Sequence, residues 1–479
     1  MASRCMPKPT YPTRSTMFLH NLDKHQEGVD LVNGHLDGTA PDTPSSTPPQ
    51  AALPLEIIIV GAGLGGLATA ISLSRRRHKV TILEQAAILG EVGAGIQIPS
   101  NSSRILLDWG LGPFLKGKVV EPEAMTFRRW EDGKPIGLTK LVPNFRENFG
   151  APYYVVHRAD FHDAMHKLAV DLGVKIEVAS KVVSYDPKTA SVEVENGRRY
   201  SGDLVVAADG VKSMARAVVL GGAEAPPVHT GFAAYRATVD VEKMKKDPEV
   251  AWLLERSSLN IWIGEDRHVM TYTIAGGRTF NLVLSHVDKS DVSTWKQENI
   301  IQDMRNYFVG WDPCLTKIIS FIDKTIKWPL LSGQPLTRWV APSGKSLLIG
   351  DAAHAMVPYM SQGAAMAVED GAALGEILST IVDRAEIPTA LKVFEQVRIV
   401  RAGQMQEASL LNGKIWHFAD GPEQKARDKS MQAEVEGISF VSSANQWSDP
   451  VTQWWAYGYD APEEVLRAWK NRLVTPSKL

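Results

Sequence analysis

The stretch that decides the fold lies at residues 61–66 and reads Gly61-Ala62-Gly63-Leu64-Gly65-Gly66. Before it stands an apolar, largely β-branched run, Leu55 to Val60, and after it an alanine- and leucine-rich segment that extends to about Arg77. A short apolar run, a cluster of glycines and a longer segment of small residues predict a buried strand, a tight turn and a helix. We therefore expect an α/β fold of the Rossmann type that begins at this unit.

Each glycine of this turn has its own physical reason. Gly61 permits the turn, Gly63 allows a pyrophosphate to approach the backbone, and Gly66 allows the helix to pack closely on the strand. The start of the helix also offers unpaired N–H groups and a positive dipole end to phosphates. Glu84 closes a second predicted strand, Lys79 to Glu84, where a carboxylate can accept hydrogen bonds from a ribose diol. An acid there fits an adenosine ribose without a 2′-phosphate, so this segment alone allows FAD or NAD.

Composition and charge exclude several other classes of protein. The 479 residues have a net charge of −2 and contain no basic block, so nucleic acid is not an expected partner. The two cysteines, Cys5 and Cys314, form no metal or redox motif, which favours a reducing compartment and predicts no metal site. The 18 residues Ile57 to Ser74 carry no charge, but their four glycines suit a turn better than a membrane span. We therefore expect a soluble protein.

The remaining chain continues the mixed pattern. Leu204 to Ala208 and Ser346 to Ile349 are short apolar runs that predict buried strands. Tyr235 to about Val287 alternates and is rich in aromatic residues, which predicts an antiparallel sheet. Gly363 to Arg384 predicts a helix, most of the chain after it looks helical, and Pro462 opens a final helix because a first turn does not need its N–H.

Four ordered segments give the chain a resemblance to a known family. They are the glycine motif with Glu84 and Gly90-Glu91-Val92-Gly93-Ala94-Gly95-Ile96; Val156-His157-Arg158-Ala159-Asp160-Phe161-His162; Ala208-Asp209-Gly210-Val211-Lys212-Ser213; and Gly350-Asp351-Ala352-Ala353-His354 with Gln362-Gly363. Together they resemble the class A flavoprotein monooxygenases of the para-hydroxybenzoate-hydroxylase fold, in particular the salicylate-hydroxylase-like branch. The likeness runs from residue 55 to about 375, and the later helices match only loosely.

The resemblance implies an α/β fold in which a Rossmann-type FAD-binding domain is interleaved with an antiparallel-sheet substrate domain and followed by a helical C-terminal part. The predicted divisions are a disordered tail at 1–54, the first part of the FAD-binding domain at 55–230, the substrate-binding sheet at 231–335, the second part of the FAD-binding domain at 336–390, C-terminal helices at 391–476, and a targeting tripeptide at 477–479.

The resemblance also implies how FAD is held. Asp351 would accept hydrogen bonds from the ribityl chain, and the N–H groups of Gly363 and Ala364 would face the flavin oxygen that becomes negative on reduction. Further residues that the family places at the cofactor are Arg158 at the flavin and pyrophosphate, Gly95 and Gln97 along the ring, and Asp209 between the flavin and nicotinamide sites.

A monooxygenase reaction on an aromatic substrate follows from the same resemblance. NAD(P)H would dock transiently to reduce FAD, and O2 would then form a flavin C4a-hydroperoxide that attacks electron-rich phenols. A phenolate requires a cation or hydrogen-bond donors in a dry pocket. Tyr235, Arg236 and Tyr272 on the predicted sheet are candidates, and related dearomatising hydroxylases imply that Arg236 and Tyr272 are the catalytic pair.

Several alternatives remain open at this stage. An FAD-dependent epoxidase or reductase acting on an isoprenoid alkene would share the same motifs, and so would a non-catalytic flavin-binding redox sensor. Plain hydroxylation, decarboxylative hydroxylation and dearomatisation share one chemistry, and a role in fungal-type secondary metabolism is compatible with each. The choice between NADH and NADPH, the identity of the aromatic small molecule and the oligomeric state are not determined.

The final tripeptide, Ser477-Lys478-Leu479, matches a peroxisomal import signal. Such a signal is read by an import receptor, which would be a second partner of the protein. We therefore expect a peroxisomal location, with the cytoplasm as the alternative.

Overall fold

The computed structural model describes residues 50–90, 94–223, 225–295 and 299–472. The predicted tail up to residue 49 and the tripeptide at 477–479 lie outside these residues. Within the predicted tail, residues 50–54 are described, and the Ala51 N–H donates a hydrogen bond to the Arg76 carbonyl at 3.1 Å. This hydrogen bond joins a residue of the predicted tail to the segment that follows α1.

The described chain alternates strands and helices. The strands are β1 (Glu56–Val60), β2 (Lys79–Leu83), β3 (Gly95–Ile98), β4 (Ala124–Arg129), β5 (Pro135–Lys140), β6 (Tyr154–His157), β7 (Lys175–Glu177), β8 (Val182–Asp186), β9 (Ser191–Val194), β10 (Arg199–Ser201), β11 (Leu204–Ala207), β12 (Val228–Asp240), β13 (Ser258–Gly264), β14 (Arg267–Ile274), β15 (Thr279–Val287), β16 (Thr325–Ser332) and β17 (Ser346–Leu348). The α-helices are α1 (Leu64–Arg75), α2 (Ser100–Asp108), α3 (Gly112–Leu115), α4 (Asn144–Phe149), α5 (Arg158–Asp171), α6 (Ala215–Val219), α7 (Val241–Lys245), α8 (Pro248–Ala251), α9 (Ile300–Tyr307), α10 (Pro313–Ser320), α11 (Asp351–His354), α12 (Gly363–Ser379), α13 (Ile387–Trp416), α14 (Pro422–Glu436), α15 (Pro450–Tyr457) and α16 (Ala461–Asn471).

A five-stranded parallel sheet forms the centre of the first layer, in the order β17-β11-β1-β2-β7. Its central strand β1 is the apolar run predicted from the sequence, and three of its five residues are isoleucines. Helices cover one face of this sheet, and a three-stranded sheet in the order β10-β9-β8 covers the other, where Ile58, Val60 and Val205 pack against its valines. The carboxyl ends of β1, β2, β11 and β17 lie at one edge, so the loops that follow them come together there.

A seven-stranded sheet in the order β16-β12-β15-β14-β13-β4-β5 forms the second layer. Its pairs are antiparallel except for β13 and β4, which run parallel. The alternating segment from Tyr235 to Val287 lies in its middle, as predicted. The sheet also contains β4 and β5, from residues 124–140, which the sequence pattern did not predict as part of it.

The C-terminal part is helical, as expected. Helix α12 ends at Ser379 rather than continuing to Arg384. The Thr380 hydroxyl donates a hydrogen bond to the Ile377 carbonyl, and Asp383 caps a separate 3-10 turn. The final helix starts at Ala461, one residue before Pro462, and the Asp460 carboxylate accepts the Glu463 N–H at 2.9 Å. In the part of the chain that is described, every helix is too short or too polar to cross a bilayer. The predicted fold class is confirmed by this architecture.

Candidate active site

The glycine turn has the close contacts that its sequence requires. Gly61 has a φ of 102°, and a Cβ at this position would lie 2.4 Å from the Ala208 carbonyl oxygen. A Cβ at Gly66 would lie 2.0 Å from the Gly61 carbonyl oxygen, which is part of the rigid turn. At Gly63 a Cβ would meet no atom within 4 Å. Gly61 and Gly66 are therefore required by packing, whereas Gly63 borders open space at the start of α1.

Glu84 follows β2 and fixes this turn from the neighbouring strand. Its half-buried carboxylate accepts the Ala62 N–H at 2.8 Å and the Ala86 N–H at 2.8 Å. The sequence predicts that Glu84 binds a ribose; the structure places it beside the turn with both oxygens already hydrogen-bonded to backbone. Each carboxylate oxygen has a further lone pair, so these bonds leave it able to accept from a ribose hydroxyl.

Asp209 and Asp351 follow β11 and β17 at the same edge of the sheet. One Asp209 oxygen accepts the Tyr185 hydroxyl at 3.0 Å and two N–H groups at the start of α6. Asp351 is exposed at the start of α11. The Arg216 guanidinium donates to the carbonyls of Asp351 and Ala352 at 3.1 and 2.8 Å, which ties the two loops together.

The start of α12 faces the same region. Gly363 and Ala364 are half-buried, no acid lies in the first turn, and Gln362 precedes them in the helical conformation. Their N–H groups lack partners one turn earlier in the helix, so this end carries a partial positive charge. The helix is thus built to meet an anionic group.

A buried ion network holds these loops, and the sequence did not predict it. The Asp370 carboxylate accepts the Gly350 N–H at 3.0 Å, the His354 ring at 2.7 Å and the Arg398 guanidinium at 2.9 Å. Its neighbour Glu369 binds Arg398 at 2.7 Å and Arg401 at 3.1 Å. Burial opposes ionisation of Asp370, but the His354 and Arg398 charges lower its pKa to about 2.

This network anchors the C-terminal helices to the cofactor half. Arg401 also donates to the carbonyls of Trp455 and Ala456, at 2.6 and 2.8 Å. Glu369 further accepts the side-chain amide of Asn101 at 2.7 Å. The signal in the sequence was two adjacent acids, Glu369 and Asp370, in the middle of the largely apolar helix α12. His354 is therefore held in place by its carboxylate partner.

Arg158 and Arg236 connect the two layers. Burial and the Arg236 charge lower the pKa of Arg158, while Asp351 opposes that change. Burial likewise lowers the pKa of Arg236, and Tyr272 opposes it. Arg158 is therefore within electrostatic reach of Asp351 in the FAD-binding layer and of Arg236 on the seven-stranded sheet.

Arg236 and Tyr272 lie on one face of the seven-stranded sheet. Arg236 pairs with Val283 on β15, Val283 pairs with Met270 on β14, and Tyr272 follows two residues later on the same face. Tyr235, the third sheet candidate, points to the opposite face, where its ring stacks on His286 at 4.7 Å. Alternation along β12 therefore removes Tyr235 from the site.

Strand β3 brings Gly95 and Gln97 against this face. The Gly95 N–H donates to the Asn281 side chain at 2.7 Å, and a Cβ at Gly95 would lie 2.5 Å from the Tyr272 ring. Gln97 is buried and contacts the sulfur of Met270 at 2.9 Å. The two predicted ring-lining residues thus contact the sheet face that carries Arg236 and Tyr272.

These features fit FAD. The open space at Gly63, the helix start behind it and the carboxylate of Glu84 suit an adenine dinucleotide. The helix start at Gly363 suits the flavin ring, whose reduced form is anionic. The residues that the sequence predicts to hold the group are Gly61, Gly63, Gly66, Glu84, Gly95, Gln97, Arg158, Asp209, Asp351, Gly363 and Ala364.

Comparison with known proteins decides the family. A model of the FAD binding domain matches residues 54–409. The FAD-dependent monooxygenase OpS4 of Beauveria bassiana (strain ARSEF 2860) is 36% identical over 410 residues, which cover 85% of this chain and 96% of the relative. The chain is a class A flavoprotein monooxygenase.

Other relatives and a solved structure agree with this family. The 3-hydroxybenzoate 6-hydroxylase of Polaromonas naphthalenivorans (strain CJ2) is 33% identical over 379 residues, 78% of this chain and 91% of that enzyme. The crystal structure of CtdE in complex with FAD and a substrate aligns with a TM-score of 0.72 at 25% identity, over 88% of this monooxygenase and all of that chain. The protein is therefore an FAD-dependent enzyme, and the non-catalytic alternative is set aside.

Proposed function

We propose that this monooxygenase hydroxylates a phenolic or salicylate-like aromatic compound, with NAD(P)H as the transient reductant and O2 as co-substrate. The observation that carries the proposal is that Arg236 and Tyr272 share the sheet face that meets Gly95 and Gln97. When bound, FAD supplies the activated oxygen. The residues of the chain must then bind and ionise the phenol beside it.

Arg236 is suited to hold the substrate as an anion. It is half-buried, and among the described residues Tyr272 is the titratable group that favours its charge. A half-buried guanidinium without a carboxylate partner is costly, so an anion that enters the site gains a strong interaction. A phenolate oxygen satisfies this requirement and makes the ring electron-rich, as oxygen transfer requires.

Tyr272 is suited to act as a hydrogen-bond donor. Burial raises the pKa of this tyrosine, although Arg236 and Gln97 oppose the rise. The hydroxyl therefore keeps its proton at neutral pH and can donate it in a hydrogen bond to the substrate oxygen. A neutral donor beside a cation stabilises an oxyanion without a second charge.

The test is NADH and NADPH oxidation by the FAD-loaded protein, with oxygen uptake measured against salicylate, resorcinol and 2,4-dihydroxyacetophenone. We expect one of these phenols to accelerate oxidation of the nicotinamide cofactor and to yield a product with one added oxygen atom. Bound FAD with no phenol effect and no oxygenated product would refute the aromatic assignment, and isoprenoid alkenes would then be the substrates to try.

We further propose a tailoring role in secondary metabolism and import into peroxisomes through Ser477-Lys478-Leu479. A fungal monooxygenase among the relatives supports the first part, and the match of the tripeptide to the import signal supports the second. A fluorescent protein fused in front of residue 1 should co-localise with a peroxisomal marker. The same fusion without the tripeptide should be cytoplasmic, and identical patterns would refute the import signal.

A further inference from the structure

The peptide group between Ala62 and Gly63 is held from the side of helix α5. His162, on α5, is 6% exposed, and its Nε2 lies 2.7 Å from the Ala62 carbonyl oxygen. A carbonyl oxygen only accepts, so Nε2 carries a proton and donates it. Burial lowers the pKa of His162, although the hydrogen bond to Ala62 opposes this change. The ring is therefore neutral at pH 7, with its proton on Nε2.

The backbone groups on either side of this peptide are held as well. The Glu84 carboxylate accepts the Ala62 N–H at 2.8 Å, and the Gly63 carbonyl accepts the Leu67 N–H at 3.0 Å. Glu84 follows β2, Leu67 lies in the first turn of α1, and His162 lies on α5. Three separate elements of the fold therefore determine how the peptide groups of the glycine turn are oriented.

The orientation of the Ala62–Gly63 peptide decides what the turn offers to a ligand. A trans peptide is planar, so its C=O and its N–H point in opposite directions. Since the Ala62 carbonyl points toward His162, the Gly63 N–H points away from α5. This N–H has no acceptor among the residues that the structure describes, and a Cβ on Gly63 would meet no atom within 4 Å. The turn thus presents a free donor beside open space.

Without the histidine, this orientation would be weakly determined. Glycine has no Cβ and adopts positive and negative φ with similar ease, so rotation of the peptide that precedes Gly63 meets little steric resistance. A rotated peptide would direct the Ala62 carbonyl oxygen to the side on which the Gly63 N–H now lies. Phosphate oxygens that approach the turn would then meet an acceptor in place of a donor.

We propose that His162 is a positioning residue for the cofactor, which holds the Ala62 carbonyl toward α5 and thereby keeps the Gly63 N–H directed at the pyrophosphate of FAD. His162 acts through the backbone of the turn. Its contribution to the affinity for FAD is about that of one neutral hydrogen bond, which is a factor of about five to ten. This role is independent of the substrate that the enzyme oxidises.

The experiment compares variants of the FAD-loaded enzyme with wild type. His162→Phe keeps a ring and removes the donor, whereas His162→Gln can place an amide N–H near the position of Nε2. His166→Phe is the matched control, because His166 is half-buried and lies one turn later on α5. The dissociation constant of FAD is measured from the flavin fluorescence that appears when each holoenzyme is diluted. If the phenylalanine ring is too large for the site, His162→Leu takes its place.

We expect His162→Phe to bind FAD about five- to tenfold more weakly than wild type, while His162→Gln and His166→Phe remain within about twofold of it. Equal dissociation constants for His162→Phe and His162→Gln would overturn the inference, both near wild type and both weakened, because the donor would then make no difference.

A second measurement separates the positioning of FAD from stabilisation of the fold. The midpoint of thermal unfolding is recorded for each variant with and without FAD, since a ligand that binds only the folded chain raises this midpoint. We expect the rise produced by FAD to shrink in His162→Phe and to be retained in His162→Gln. A lower midpoint with an undiminished rise, or a chain that folds only when residue 162 carries a donor, would show that the hydrogen bond serves the fold alone and would overturn the inference.

Discussion

Replacement of Asp370 by asparagine tests the buried ion network most directly. The Asp370 carboxylate accepts hydrogen bonds from the Gly350 N–H, the His354 ring and the Arg398 guanidinium, at 3.0, 2.7 and 2.9 Å. An amide has one acceptor oxygen and adds two donors, so Asp370→Asn leaves at least one of these three groups unpaired. The loop that it releases begins at Gly350 and presents Asp351 to the cofactor.

The magnitude follows from the pKa of Asp370. A fall from 3.8 to about 2 corresponds to about 2.5 kcal/mol of stabilisation by the ionised carboxylate. This stabilisation is present above pH 4, because the folded protein holds the carboxylate ionised, and it is lost as the pH falls toward 2. Removal of one partner from a buried pair costs about 3–5 kcal/mol in other proteins. We therefore expect Asp370→Asn to lose about 3 kcal/mol at pH 7, a large part of the usual total.

The assay is thermal unfolding followed by flavin fluorescence, together with the FAD content after gel filtration. The matched control is Asp163→Asn, a partly exposed carboxylate bound to Lys118 and Lys167 at 2.9 Å each, which should change stability by about 1 kcal/mol or less. The Asp370→Asn variant should have a midpoint of thermal unfolding several degrees below that of wild type, and it should lose more FAD during gel filtration. Equal behaviour of the two variants would refute the role of the network.

Three further predictions concern the glycine turn, the sheet face that carries Arg236, and the loss of stability at acidic pH. Gly66→Ala should abolish the yellow holoenzyme, because its Cβ would lie 2.0 Å from the Gly61 carbonyl oxygen; a variant with full FAD content contradicts this. Arg236→Gln should weaken phenol binding about tenfold or more and leave the FAD content unchanged, and an unchanged dissociation constant contradicts it. His78 accepts the Leu55 N–H, and burial followed by the Arg76 charge lowers its pKa to about 4. Between pH 6.5 and pH 4 the His78 ring is protonated in the unfolded chain but not in the folded one, so the free energy of unfolding falls by about 3 kcal/mol over that range. His78→Gln should make this fall with pH shallower. An equally steep fall in the variant contradicts the prediction.

The controls for these variants come from the same chain. Gly63→Ala introduces a Cβ into open space, so the protein should fold with an unchanged circular dichroism spectrum even where FAD binding is weakened. Arg256→Gln removes an exposed arginine and should bind phenols as wild type does. His166→Gln changes another histidine, a half-buried one on α5, and serves as the control for His78→Gln.

The cofactor half could be predicted from the sequence because its chemistry is local in the chain. The turn, the helix start and the carboxylate of Glu84 all lie within residues 61–84, and the strands around them are predicted by their apolar runs. The Gly350-Asp351 loop joins them because the ends of parallel strands meet at one edge of a sheet. For these residues, the spacing along the chain already indicates which of them lie close together in the fold.

The substrate half needed the tertiary structure. Alternation along β12 shows that Tyr235 and Arg236 face opposite ways, but only packing of the sheet against β3 decides that Arg236 and Tyr272 face Gly95. The ion network was equally hidden, since Asp370 and Arg398 are 28 residues apart and their helices must cross before the charges can pair. A local pattern fixes which faces an element has; the partner of each face depends on how distant segments pack.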